Sequence, residues 1–171
     1  PVVHAHLPRL RAGDRRPQVI AAWAIAAVLV GLSVWAGIVD ARSRRIPNAC
    51  CVLVALCGVA LQAARAQSRV APVLGEPLAC VELAAALLVA GVCLELAYRR
   101  LSGHTGLGMG DVKYVAAWAV SLGWLVAPAL VVACLLGAAW GLATRQRTFA
   151  FGPWLSLAFF LQMLMALAAS S

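Results

Sequence analysis

Charge is scarce in this sequence, and acidic charge scarcer still: 12% of its 171 residues are charged, and six are Asp or Glu. A soluble domain is about 25% charged and about half apolar, whereas this chain is 64% hydrophobic, with a mean hydropathy of +0.92. The deficit of charge excludes a soluble globular domain and defines an integral membrane protein. Six cysteines are present, at Cys50, Cys51, Cys57, Cys80, Cys93 and Cys134, but none forms a C-x-x-C pair. Their spacing supports neither a zinc site nor a disulfide framework, and inside apolar runs cysteine acts as a small hydrophobe. No internal repeat and no low-complexity segment is visible. The first apolar run, from Val19, is about twice the length of a signal-peptide core and lacks a small-residue cleavage site, so a signal peptide is not expected.

What is present is a series of long apolar runs. At about 20 residues per crossing, the chain has room for about six spans and no sizeable soluble domain. The expected class is all-α: a polytopic bundle of about six transmembrane helices with a short fourth helix. Residues 1–18 read as a polar, basic lead-in, in which His4 and His6 are solvated, and residues 19–171 as the membrane domain. The spans are expected at 19–39, 48–64 and 78–97, then a short helix from Asp111, a fifth ending near Leu142, and a sixth from the Phe149–Trp154 segment to about 168. Pro47 fits the first turn of the second helix, where its missing N–H is no loss. The run from Asp111 to Leu142 is too long for one span and short for two, and Gly123 with Pro128 places a tight turn near 121–124. Arg65 to Pro77 reads as a polar connection.

The net charge of +8 lies in short clusters beside apolar runs. Arginines that set topology and touch anionic lipid explain it, and nucleic-acid binding is not expected. Loops after the first, third and fifth spans hold Arg42, Arg44, Arg45, Arg99, Arg100, Lys113, Arg145 and Arg147. The opposite side holds Arg65, Arg69 and the four arginines of the lead-in. The loop excess puts the first group in the cytoplasm, and the lead-in counts against it. Whichever side it is, Asp40, Asp111 and Phe151-Gly152-Pro153 fall on the same one.

Acids at membrane depth are costly, so one that is kept is a functional candidate with a partner to be found. Asp40 closes the first span and Asp111 opens the fourth. Two carboxylates brought together tend to hold one proton between them, leaving one base and one acid. Such a pair can activate water and protonate a leaving amine, and it titrates as a unit, so no separate roles are assigned. Gly108 and Gly110 lack Cβ atoms and would let an extended substrate backbone approach. Lys113 reads either as a partner for a carboxylate or as an interfacial lysine. Glu95 is expected to pair with Arg99 one turn on. Glu82 reads as snorkelling to the interface, with an inward polar role as the alternative, and His104 as a loop histidine. Two other functions stay open: a small proton- or cation-coupled transporter using these acids, and a non-catalytic assembly scaffold.

Gly108-Met109-Gly110-Asp111-Val112-Lys113, with Asp40, the Arg44-Arg45-Ile46-Pro47-Asn48 turn and Phe151-Gly152-Pro153-Trp154, resembles the type IV prepilin peptidases of the G-x-G-D group of membrane aspartyl proteases. The resemblance covers the chain from about residue 19. It implies a bacterial inner-membrane, multi-pass endopeptidase acting in type IV pilus assembly and protein secretion. Such an enzyme cuts prepilin or pseudopilin precursors after a short basic leader at the cytoplasmic face. Asp40 and Asp111 would be the catalytic pair, and no metal or cofactor is implied for the proteolytic step. Gly108, Gly110, Lys113, Phe151, Gly152 and Pro153 enter as substrate-binding or site-shaping residues. Long members carry a cytoplasmic domain with paired C-x-x-C motifs linked to methylation. This chain resembles the short, peptidase-only members, so methyltransferase activity is not expected.

Overall fold

Apolar runs with few turn residues fold as helices in lipid, because only a helix satisfies every backbone N–H and C=O within its own segment. The computed structural model describes residues 16–68, 74–103, 108–145 and 150–169. Among these residues the regular structure is helical throughout. Six α-helices follow in order: α1 (Arg16–Ser43), α2 (Asn48–Ser68), α3 (Pro77–Ser102), α4 (Met109–Leu122), α5 (Val126–Thr144) and α6 (Gly152–Ala168), with a 3₁₀ turn at Gly123–Leu125 between α4 and α5. By length and composition four stretches can cross a membrane: Val19–Ser43, Asn48–Arg65, Pro77–Ser102 and Met109–Thr144. Gly152–Ala168 is a shorter apolar helix. The protein is therefore an all-α, multi-pass membrane protein. Its large exposed side chains include Leu94, Leu101, Leu135 and Leu142, an apolar exterior suited to lipid and not to water.

The short fourth helix is present. At 14 residues it is about 21 Å long, short of the roughly 30 Å hydrocarbon layer. It is also the most enclosed helix, with Tyr114 and every residue from Ala116 to Leu122 buried. Its flanks are α2 and α3, which barely touch each other; α1 packs on α2 and α6, and α5 on α6. Below the first turn of α4, Tyr114, Trp118 and Phe159 of α6 form one aromatic cluster, with ring centroids 5.8 to 6.4 Å apart.

The reversal after α4 lies where glycine placed it. Gly123 has φ +55°, and a Cβ built there would stand 2.5 Å from the Leu74 carbonyl oxygen and 2.9 Å from Cys80 Sγ. Only glycine fits this backbone and this gap.

Five expected placements at helix ends are corrected. Helix α1 continues a turn past the expected end at 39, and Arg44, at φ +53°, donates its N–H to the Asp40 carbonyl at 2.8 Å. Pro47 sits just before α2 instead of in its first turn, and its carbonyl accepts the Cys50 and Cys51 N–H groups at 3.0 and 3.3 Å. Arg65 belongs to α2, not to a polar connection. It is buried and donates to Gln62 Oε1 and to the Gly75 carbonyl, while Gln62 Nε2 donates to the Val120 carbonyl at 2.8 Å. That network supplies partners for a buried guanidinium and for one of the last carbonyls of α4, which a helix end leaves open. Helix α3 likewise runs on to Ser102 and takes in Tyr98, Arg99 and Arg100. The lead-in's Arg16–Gln18 are already helical. His4, His6, Arg69, His104, Arg147 and Phe149 lie outside the described residues.

Candidate active site

Asp40 stands in the last turn of α1 with 5% of its surface exposed. Its position is fixed from the far end of the chain: the Gly152 N–H, at the start of α6, donates to Asp40 Oδ2 at 2.8 Å. The first N–H groups of a helix have no partner inside it and favour an anionic acceptor. Gly152 is required sterically as well, since a Cβ there would lie 2.7 Å from Oδ2 and 2.9 Å from Asp40 Cβ and Cγ. Phe151 precedes the helix, and its carbonyl accepts the Trp154 and Leu155 N–H groups at 3.1 and 3.2 Å. Pro153 lies against Gly37, one turn before Asp40. The Phe-Gly-Pro segment thus shapes the site by holding Asp40.

Asp111 occupies the first turn of α4. The two glycines before it each have a close neighbour within the protein. A Cβ at Gly108 would lie 3.1 Å from Asp111 Oδ2, and one at Gly110 would lie 3.2 Å from the Ile46 nitrogen and 3.4 Å from Ile46 Cβ. Gly108 makes room for the carboxylate itself, and Gly110 lets α4 meet the turn between α1 and α2. Among the described residues the tight contacts at these two positions are with Asp111 and Ile46.

Asp40 and Asp111 line one cavity of about 700 Å³. Gly108, Gly110 and Lys113 line it too, together with the Arg44–Asn48 turn, Arg99 and Met109. Phe151, Gly152 and Pro153 are not in its wall. Lys113, the single lysine of the chain, donates from Nζ to Asn48 Oδ1 at 3.1 Å, tying α4 to the first residue of α2.

Arg44, Arg45 and Arg99 are lining residues that the sequence reading did not place among the candidate site residues. The adjacency of the Arg-Ser-Arg-Arg turn to Asp40 was the available signal for two of them. Arg99 was announced by its spacing from Glu95: the expected pair is present at 2.6 Å, with Glu95 1% exposed and Arg99 43% exposed. Glu95 is therefore a buried anchor for a cavity-lining cation. Glu82 is exposed on the outer side of α3 and takes no inward role. Among the described residues no group of three or more His, Cys, Asp or Glu could hold a metal ion, and Cys50, Cys51 and Cys80 are free and buried.

A helical membrane protein whose first and fourth helices deliver two carboxylates to one cavity is the class that the fold and site define. Residues 27–142 match the model of the type IV leader peptidase family, and the chain belongs to that family. A prepilin leader peptidase/N-methyltransferase from Dickeya chrysanthemi is 44% identical over 69 residues, which cover 36% of this chain and 24% of that protein. The match thus spans about a quarter of that relative's length. No solved structure matches the chain significantly.

Proposed function

We propose that this protein is a membrane aspartic endopeptidase that removes the short basic leader from type IV prepilin-like precursors. The observation that carries the reading is the meeting of Asp40 and Asp111, seventy-one positions apart in sequence, in the wall of one cavity. One carboxylate takes the proton of a water held between them, and the other protonates the leaving amine as the peptide bond breaks. The Gly152 bond occupies Asp40 Oδ2 and leaves the other oxygen for that water. Family membership supports prepilin-like substrates. The excess of basic residues in the loops on the cavity side supports an inner-membrane enzyme with its site toward the cytoplasm. The proposal is of peptide cleavage; residues 1–171 hold no C-x-x-C pair, and nothing in them is assigned to methyl transfer. It places one domain in residues 19–171.

The cavity wall carries Arg44, Arg45, Arg99 and Lys113 against two acids. Charge at this wall gives a basic leader no net attraction, so we infer that substrate selection rests on the apolar part of the precursor.

The test is co-expression with a candidate prepilin, following its size on a gel. Wild type should cut, while Asp40→Asn and Asp111→Asn should each lower the rate by about 10³-fold or more, as loss of a central catalytic group does elsewhere. Unchanged cleavage by either well-expressed variant would remove the pair from the mechanism.

A further inference from the structure

We propose that the apolar helix of the precursor docks in the groove between α2, α3 and α4, with its leader end below the Lys113–Asn48 pair. This rests on the peptidase reading and names the surface through which that site takes its substrate. The groove exists because α2 and α3 barely touch, leaving the small side chains of α4 recessed between them. Its volume is about 510 Å³, and Ala55, Ala84, Ala85, Ala116 and Ala117 form much of its wall. Small residues let a second helix backbone approach closely in lipid, where packing and not the hydrophobic effect drives association. Asn48 and Lys113 line both this groove and the acid-lined cavity, so a helix seated here delivers its end to the carboxylates without crossing another element. Along α2 the wall runs from Asn48 to Ala55, and along α4 from Lys113 to Val120. Each stretch is about 10 Å long, so two turns of helix fit.

A second apolar groove, between α1 and α6, is of similar size at about 500 Å³ and includes Val34, Gly37, Pro153 and Leu157 in its wall. It shares no lining residue with the acid-lined cavity. Near Asp40 the two helices are joined: a Cβ at Gly37 would lie 3.5 Å from Pro153 Cα, and the Gly152 N–H donates to Asp40 Oδ2. A helix lodged there would be separated from the carboxylates by the joint that fixes Asp40.

The experiment uses the full chain with its cysteines replaced, carrying Asp111→Asn to hold the precursor uncut. One version carries Val52→Cys, in the α2/α3/α4 groove, and the other Leu157→Cys, in the α1/α6 groove; both positions are exposed. The probe is a prepilin-like precursor with a single cysteine scanned through the first two turns of its apolar helix. Under mild oxidation, Val52→Cys should give a disulfide-linked complex on a non-reducing gel and Leu157→Cys should not. Linkage through Leu157→Cys, or through neither, overturns the docking site; linkage through neither leaves a lipid acyl chain as the occupant. In the cleavage-competent protein, Ala85→Trp should fill the groove and lower kcat/KM for the precursor by about tenfold, and an unchanged value counts against the proposal. Cleavage is scored separately: cross-linking through Val52→Cys by a protein whose wild type does not cut keeps the docking surface and overturns the peptidase reading.

Discussion

At the scale of single residues, the site depends on where a Cβ is missing. Gly152 is the sharpest case, because a methyl group there must displace the carboxylate that its own N–H holds. Gly152→Ala should leave the helices formed and lower kcat by about 10²-fold, the size of effect that a displacement of about 1 Å can have on an aligned group. KM for the precursor should change little, because the substitution lies outside the docking groove. A wild-type kcat in Gly152→Ala would show that Asp40 does not need this bond. Both acids could be read from sequence, because an acid bordering an apolar run is conspicuous. The Gly152 bond could not, since nothing in a pattern tells which residue a carboxylate will accept from. The close neighbours of Gly108 and Gly110 were hidden for a related reason. The absence of a side chain says that something comes close, and here it is the protein's own Asp111 and Ile46.

At the scale of elements, helix number and order were legible from run lengths, and the reversal after α4 from Gly123. Helix ends were less so. Arg42, Arg65 and Arg99 look like loop residues in a hydropathy pattern, yet each lies within a helix. For Arg65 the reason is tertiary, since Gln62 and the Gly75 carbonyl make its burial tolerable. The reversal itself carries a firm expectation. Gly123→Ala imposes a left-handed φ on a residue with a Cβ and drives that Cβ toward the Leu74 carbonyl. Destabilisation of about 3 kcal/mol or more follows from strain and overlap together. It should appear as a lowered midpoint of thermal unfolding in detergent, and an unchanged midpoint would mean that the turn is not built as described.

At the scale of the whole molecule, α4 is enclosed by its neighbours while α3 and α5 present most of their surface outward. A lipid-soluble carbene probe should therefore label α3 and α5 heavily and leave α4 from Ala116 to Leu122 nearly unlabelled, as read by mass spectrometry of the labelled peptides. Equal labelling of α4 would contradict the packing. Burial on this scale follows from which helices touch, and composition alone does not order them: α4 and α5 are both strongly apolar. The bond between Asp40 and Gly152 also spans 112 residues of chain, and so it has a consequence in time. A ribosome delivers both aspartates to the membrane well before it delivers α6. Until α6 inserts, the chain carries its acids without the clamp that orders one of them, and the candidate site is complete only once that helix has joined α1.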